Sequence, residues 1–147
     1  MARAIVGLAL IMGTLVGAGA PPVRATQSAP AYFVTPSRNI VCSWSDDVDV
    51  RSRTSLRCQI GTGLNPTPKQ PSWCETDWGF GFTLLNVGRA KVLCAGDTIW
   101  HGWRPVLDYG KTWRKRGFTC HSSFVGLTCR NTADHGFFLS RERWRQF

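Results

Sequence analysis

A chain of 147 residues with 18 Lys and Arg against 9 Asp and Glu, a net charge of +9 and six cysteines is one domain's worth of protein once a leader is removed. The even cysteine count argues for export and three disulfides. A metal centre built from those thiols has little support, because no C-x-x-C or H-x-x-x-H spacing occurs, and no metal or cofactor is expected.

The first element is a leader. Arg3 is followed by seventeen uncharged residues, Ala4 to Ala20, the basic start and short apolar run of a secretory signal peptide. Ala18-Gly19-Ala20 offers small residues for cleavage, but Pro21 would follow the cut, so Ala25 is the better boundary. The alternative is an uncleaved anchor, which four glycines and a length at the lower edge of a spanning helix disfavour. No Cys precedes Cys42, which excludes a lipoprotein anchor, and no twin Arg is present. Removing residues 1–25 takes out Arg3 and Arg24, leaving 122 residues and a charge of +7. No stable membrane span is expected after processing, and the localisation expected is secreted, extracellular or wall-associated.

Residues 26–32 form a Pro, Ala and Ser rich flexible lead-in, and 33–147 the folded domain. In FVTPSRNIVCSW, Pro36 presets a turn, and Ile40, Cys42 and Trp44 then alternate inward. VDVRSRTSLRCQI is the clearest strand. It puts Val48, Val50, Thr54, Leu56, Cys58 and Ile60 on one face and Arg51, Arg53, Arg57 and Gln59 on a basic solvent face. GTGLNPTPKQPS (61–72) is a loop. WGFGFTLL then places Trp78, Phe80, Phe82 and Leu84 on one face, with Gly79 and Gly81 marking close approach of another backbone or a ligand. Ala90, Val92 and Cys94 resume the alternation, and 95–110 reads as loop or edge. Phe118, Cys120, Leu127 and Cys129 flank HSSFVG in a hairpin pattern, and the chain ends in GFFLSRERWRQF. Every convincing period is two. The fold class is all-β, a small disulfide-stapled antiparallel sheet or sandwich. Of the fifteen connectivities open to six cysteines, sequential pairing (42–58, 74–94, 120–129) is favoured, since each pair flanks one hairpin or meander segment. Closing such loops is worth roughly 2–4 kcal/mol each.

FVTPSRNIVC (33–42), Tyr109-Gly110, Gly117-Phe118-Thr119-Cys120 and GLTCRN…HGFFLSR (126–141) resemble a family of small secreted actinobacterial proteins classed as a domain of unknown function. The resemblance covers about residues 33–141 and rests on the paired Pro-Ser-x-Asn-Ile-x-Cys and Gly-Leu-Thr-Cys-Arg-Asn…His-Gly-Phe motifs. It implies export, disulfides and a single compact domain, and it supplies no activity. In that family a Gly is expected before the closing His, where this chain has Asp134.

Three groups of residues are candidates for chemistry. His135 beside Asp134 and Arg130, with Asn131, Ser140 and Arg141 close in sequence, has the types needed for acid–base work on an anionic substrate. The same residues equally suit a turn, with Asn131 and Asp134 capping it and His135 donating to a backbone carbonyl. The second group is Lys111, Trp113, Arg114, Lys115 and Arg116 with Arg141, Arg143, Trp144 and Arg145. It would bind a polyanion by charge and stacking, or else be a solvated basic face whose indoles pack on Arg stems. The third is the seven tryptophans. Trp44 and Trp78 sit at core positions, while Trp100 and Trp103, beside His101, offer a contact surface for a glycan or a protein. His101 and His121 read as surface residues. A binding module for an anionic envelope polymer or a protein partner, secreted or of a host, therefore ranks first. An extracellular hydrolase or nuclease using His135 is the first alternative, and an enzyme inhibitor presenting a loop such as 121–126 or 61–72 is the second. Catalysis is not required by any spacing, and nucleic acid is a partner without specific support.

Overall fold

The computed structural model describes residues 28–47 and 53–147. The expected leader and cleavage site, and Val48, Val50 and Arg51 of the expected strand, lie outside the described residues. Those residues form ten β-strands and no helix. Strands β1 (Tyr32–Val34), β2 (Ile40–Asp47), β3 (Arg53–Ile60), β4 (Trp78–Leu85) and β5 (Lys91–Cys94) make one antiparallel sheet in chain order. Strands β6 (Thr112–Lys115), β7 (Phe118–Ser123), β8 (Gly126–Arg130), β9 (Gly136–Leu139) and β10 (Trp144–Gln146) make a second, also in chain order. The two meanders pack face to face as a sandwich, and one core lies between them.

That core is organised by one rung of each sheet. In the first sheet Phe33, Cys42, Cys58 and Phe82 stand directly opposite one another across β1 to β4. In the second, Trp113, Cys120, Cys129 and Phe137 do the same across β6 to β9. The rungs stack. Phe33 meets Trp113 with ring centroids 5.2 Å apart, and Phe82 meets Phe137 at 5.1 Å. Between them the Cys42–Cys58 and Cys120–Cys129 disulfides face each other, with the sulfurs of Cys42, Cys58 and Cys129 within 4.8 Å. Next to each rung Leu56 opposes Leu84 and Leu127 opposes Leu139, all fully buried. The halves are thus two copies of one pattern, Leu-x-Cys followed by Gly-Phe-x-Leu, related by a pseudo-two-fold. The glycine is needed in both copies: a Cβ at Gly81 or Gly136 would lie 1.9 Å from the carbonyl oxygen of Cys58 or Cys129. The third disulfide, Cys74–Cys94, ties the loop after β3 to β5. The sequential pairing favoured by the hairpin spacing is the one present.

Because β6 stacks over β1, the chain leaving β5 has to cross the whole width of the first sheet, four strand spacings or about 19 Å. Residues 95–110 do so as a strap over its outer face. Val34 donates to Pro105 O at 3.0 Å, and Leu107 donates to Val34 O at 2.9 Å. Under the strap, Gln59 Oε1 accepts from Ile99 N at 2.8 Å. The Arg57 guanidinium donates to Asp97 Oδ1 at 2.9 Å and to its carbonyl oxygen at 2.6 Å. The alternation of β3 puts Arg57 and Gln59 on a solvent face, and this is corrected here. The strap buries Gln59 and leaves the Arg57 side chain 18 % exposed.

A second correction concerns Phe80. The register runs from Trp78 opposite Cys94 to Phe82 opposite Val92, so β4 carries two extra residues in a bulge. Gly79 and Gly81 take φ of +83° and +149° there, which only glycine adopts without strain. The bulge reverses the phase of Phe80 alone: Phe82 and Leu84 are fully buried, and Phe80 is 45 % exposed. The end of the lead-in is held too, since Trp113 Nε1 donates to Pro30 O at 2.9 Å and Lys115 Nζ to Ala29 O at 2.6 Å.

The strap contains the site of one pH effect. Hydrogen bonds from Arg57, and then its charge, hold the Asp97 carboxyl below the usual carboxylate range. A lowered folded-state pKa contributes stability above the unfolded value, and this is lost as pH falls through the folded value. The amide resonances of Ile99 and Trp100 should therefore titrate with a midpoint below that of an ordinary Asp. Arg57→Ala should raise the midpoint to the ordinary range, and an unmoved midpoint would show that Arg57 does not hold the strap.

Candidate functional site

Among the described residues no strap covers the second sheet, and its outer face is built by strict alternation. Each residue beside an inward Cys, Leu or Phe points outward. One outward row runs Arg145, Phe138, Thr128, His121, Thr112 across β10 to β6. The next runs Phe147, Gly136, Arg130, Thr119, Arg114, its first pair closed by Gly136 N donating to Phe147 O at 2.9 Å. No outward position on these strands holds an acid. The guanidiniums of Arg130 and Arg145 lie over the Phe147 ring at 4.6 and 5.6 Å, and that of Arg143 over Phe138 at 5.6 Å. Stacking on the rings leaves the guanidinium edges free to donate. A shallow groove of about 450 Å³ between Thr128, Phe138, Arg143, Trp144 and Arg145 crosses one edge.

The two basic stretches grouped in the sequence border the same sheet at opposite edges. Lys111 to Arg116 form the β6 edge and Arg141 to Arg145 the β10 edge of the same sheet. Arg114, Arg143 and Arg145 are exposed on or beside the face, and Lys111, Arg116 and Arg141 are exposed at turns. The two tryptophans are corrected. Trp113 points inward and is 4 % exposed in the core. Trp144 packs on Phe82 with centroids 5.7 Å apart and donates to Pro66 O at 2.7 Å. Both indole N–H groups are engaged by backbone carbonyls of the fold. Lys115 also turns inward, with Nζ 5.0 Å from the Trp44 ring. Arg130, His121, Thr119, Thr128 and Phe138 share this outer face, and their positions alternate with Cys120, Leu127, Cys129 and Phe137 in the sequence.

The structure does not draw the side chains of the His135 group tightly together. The Asp134 side chain is 90 % exposed and approaches Arg130 only at 4.0 Å. Among the described residues the His135 ring has no hydrogen-bond partner, so nothing fixes its tautomer, and the expected donation to a backbone carbonyl is absent. Neither residue lines any of the four principal clefts. Of the other aromatics, Trp73, Trp100 and Trp103 are exposed, as are Phe124 and Val125 at the β7–β8 tip.

A family model matches residues 14–147 of the chain. The chain belongs to the family of unknown function DUF6636. No curated protein and no solved structure matches it, so residue roles in this DUF6636 chain come from its own geometry.

The motif that closes the fold shows what its polar residues do. Asn131 is 4 % exposed and uses all four hydrogen-bonding positions of its amide. Oδ1 accepts from Ala133 N and His135 N at 3.0 and 3.1 Å. Nδ2 donates to Leu85 O and Gly88 O at 3.0 and 2.8 Å, which lie in the turn after β4 of the other sheet. Thr132 adds a bond to Asn86 O at 3.1 Å. Asp134 adopts φ +58°, the left-handed conformation that Gly would take at this position and that Asp tolerates. Asn131 therefore closes its own turn and fastens the two sheets together. Asn131→Ala should cost roughly 2–4 kcal/mol, because four part-buried hydrogen bonds are lost together, and should lower Tm by many degrees. His135→Ala should cost less than about 1 kcal/mol. Equal losses in thermal unfolding of the two variants would refute this division of labour.

Proposed function

We propose that the protein is a secreted binding module that engages an anionic envelope polymer through the outer face of its second sheet. The observation that carries this reading is a face whose outward strand positions hold no acid, with Arg114, Arg130 and Arg145 on them, Arg143 beside them and Asp134 approaching only Arg130, at 4.0 Å. The face is about 19 Å wide across five strands, so a chain of phosphates or carboxylates laid across it meets several guanidiniums at once. Recognition is then by charge and edge-on hydrogen bonds over a flat surface, and bases or rings need not stack on indoles. The corresponding face of the first sheet is filled by the strap and has its central arginine paired with Asp97.

Binding of this kind weakens with added salt as bound counterions are exchanged. With polyphosphate as the probe, Arg130→Glu/Arg145→Glu should lower affinity by roughly tenfold or more at low salt, and should flatten the dependence of log K on log salt. Both side chains are exposed, so Tm should not change. Unaltered affinity in a folded double variant would remove the reading.

A second reading rests on the β7–β8 tip. Phe124 is 86 % exposed and Val125 69 %, on a hairpin stapled by Cys120–Cys129, as a loop presented to a protein partner or target enzyme would be. Chymotrypsin, which cuts after aromatic residues, is the direct probe. An inhibitor tip resists cleavage after Phe124 and blocks the protease, whereas rapid cleavage there would exclude inhibition of that enzyme class.

A further inference from the structure

The bulge in β4 has a cost that the core does not explain. Two glycines with positive φ turn Phe80 out of a strand whose alternation would have buried it, and bulges of this kind re-aim a side chain. The ring is turned into an open cleft of about 660 Å³ between the strap and the turn after β3, within the range of roughly 300–1,000 Å³ usual for small-ligand sites. Trp100 of the strap lines the same cleft and is 40 % exposed. Both rings stand against the 61–63 turn. A Cβ placed on Gly61 would be 3.6 Å from Trp100 Cζ2, and one on Gly63 would be 3.8 Å from Phe80 Cε1. Neither ring is stacked on another aromatic side chain among the described residues, so both present faces to a ligand.

The polar lining gives the ligand's chemistry. Arg38, Asp77 and Asp97 line the cleft, and Asp97 is already neutralised by Arg57 at 2.9 Å. The net charge at the mouth is therefore near zero, in contrast to the basic face of the second sheet. Aromatic faces beside carboxylates and a guanidinium, without net charge, match a ring that is apolar on its C–H face and hydroxylated at its edge. We propose that this cleft binds a neutral sugar, with Phe80 and Trp100 against the C–H faces of one or two rings and Asp77, Asp97 and Arg38 on their hydroxyls. The strap built to join the two sheets supplies one wall of this site, and the β4 bulge supplies the other.

The test is a titration of the folded, oxidised protein with N-acetylchitotetraose, maltotetraose and a linear arabinan oligosaccharide. Each is taken to about 10 mM, enough to detect dissociation constants near 1 mM, and is followed by amide and indole NMR shifts. At least one sugar should give saturable shifts at Gly61, Phe80, Gly96 and the Trp100 indole. Phe80→Ala and Trp100→Ala should each weaken binding roughly tenfold, since truncating an aromatic anchor removes most of its contact. Both rings are exposed, so the variants should keep the wild-type Tm. Arg130→Glu/Arg145→Glu should bind the sugar unchanged, which separates this site from the polyanion face. Absence of shifts at those four residues with all three sugars would overturn the proposal, as would full binding by the Phe80→Ala/Trp100→Ala double variant.

Discussion

Everything in this molecule is arranged around the meeting of two disulfides. Cys42–Cys58 and Cys120–Cys129 each join directly opposed residues of neighbouring strands, so each lies flat on its sheet and occupies little depth. Set face to face and flanked by Phe33 on Trp113 and Phe82 on Phe137, they make the sandwich narrow enough for a core of few residues to fill. A small domain buries too little apolar surface to be secure without such cross-links. The close approach of Gly81 to Cys58 and of Gly136 to Cys129 follows from the same crowding: beside each disulfide there is no room for a Cβ.

The repeated rung also decides where function can reside. Once β6 stacks over β1, the connection from β5 must cover the first sheet's outer face, and it brings Gln59 and Arg57 under cover. Among the described residues, nothing is laid over the outer face of the second sheet. One face of the sandwich is therefore a mixed surface with a cleft, and the other is an open basic plane. This asymmetry comes from topology alone, since the two sheets have the same inner pattern.

Period-two alternation made much of this legible in the sequence. The inward phase of Leu56, Cys58, Ile60, Phe82, Leu84, Phe118, Cys120, Leu127 and Cys129, the all-β class and the close approach at Gly81 all follow from residue type and spacing. Phe80 was misplaced because a bulge changes phase without changing composition. Trp113 and Lys115 were misplaced because, in a four-residue strand crowded with cations, charge outweighs alternation when it is read by eye. The basic outer face joins strands that are far apart in sequence, and only pairing shows that 111–116 and 141–145 border one sheet. The internal duplication was visible as LRC and LTC, then GFTL and GFFL, but its meaning depends on the rungs meeting. The polar residues of the closing motif divide in a way that residue types cannot show. Asn131 is buried and fully bonded, and His135 beside it is not bonded through its ring.

Each sheet is a meander in which every strand pairs with its chain neighbour, and this has a consequence for how the molecule is made. Contacts within a sheet are local, so each half can form without waiting for distant segments, unlike sandwiches wired through long crossovers. Docking of one half on the other, with the strap laid over the first sheet, is the long-range step. Until it occurs, each half exposes an aromatic and sulfur-rich stripe to solvent. That half-assembled species is the aggregation-prone one, and crowding of newly made chains acts on it rather than on the folded protein.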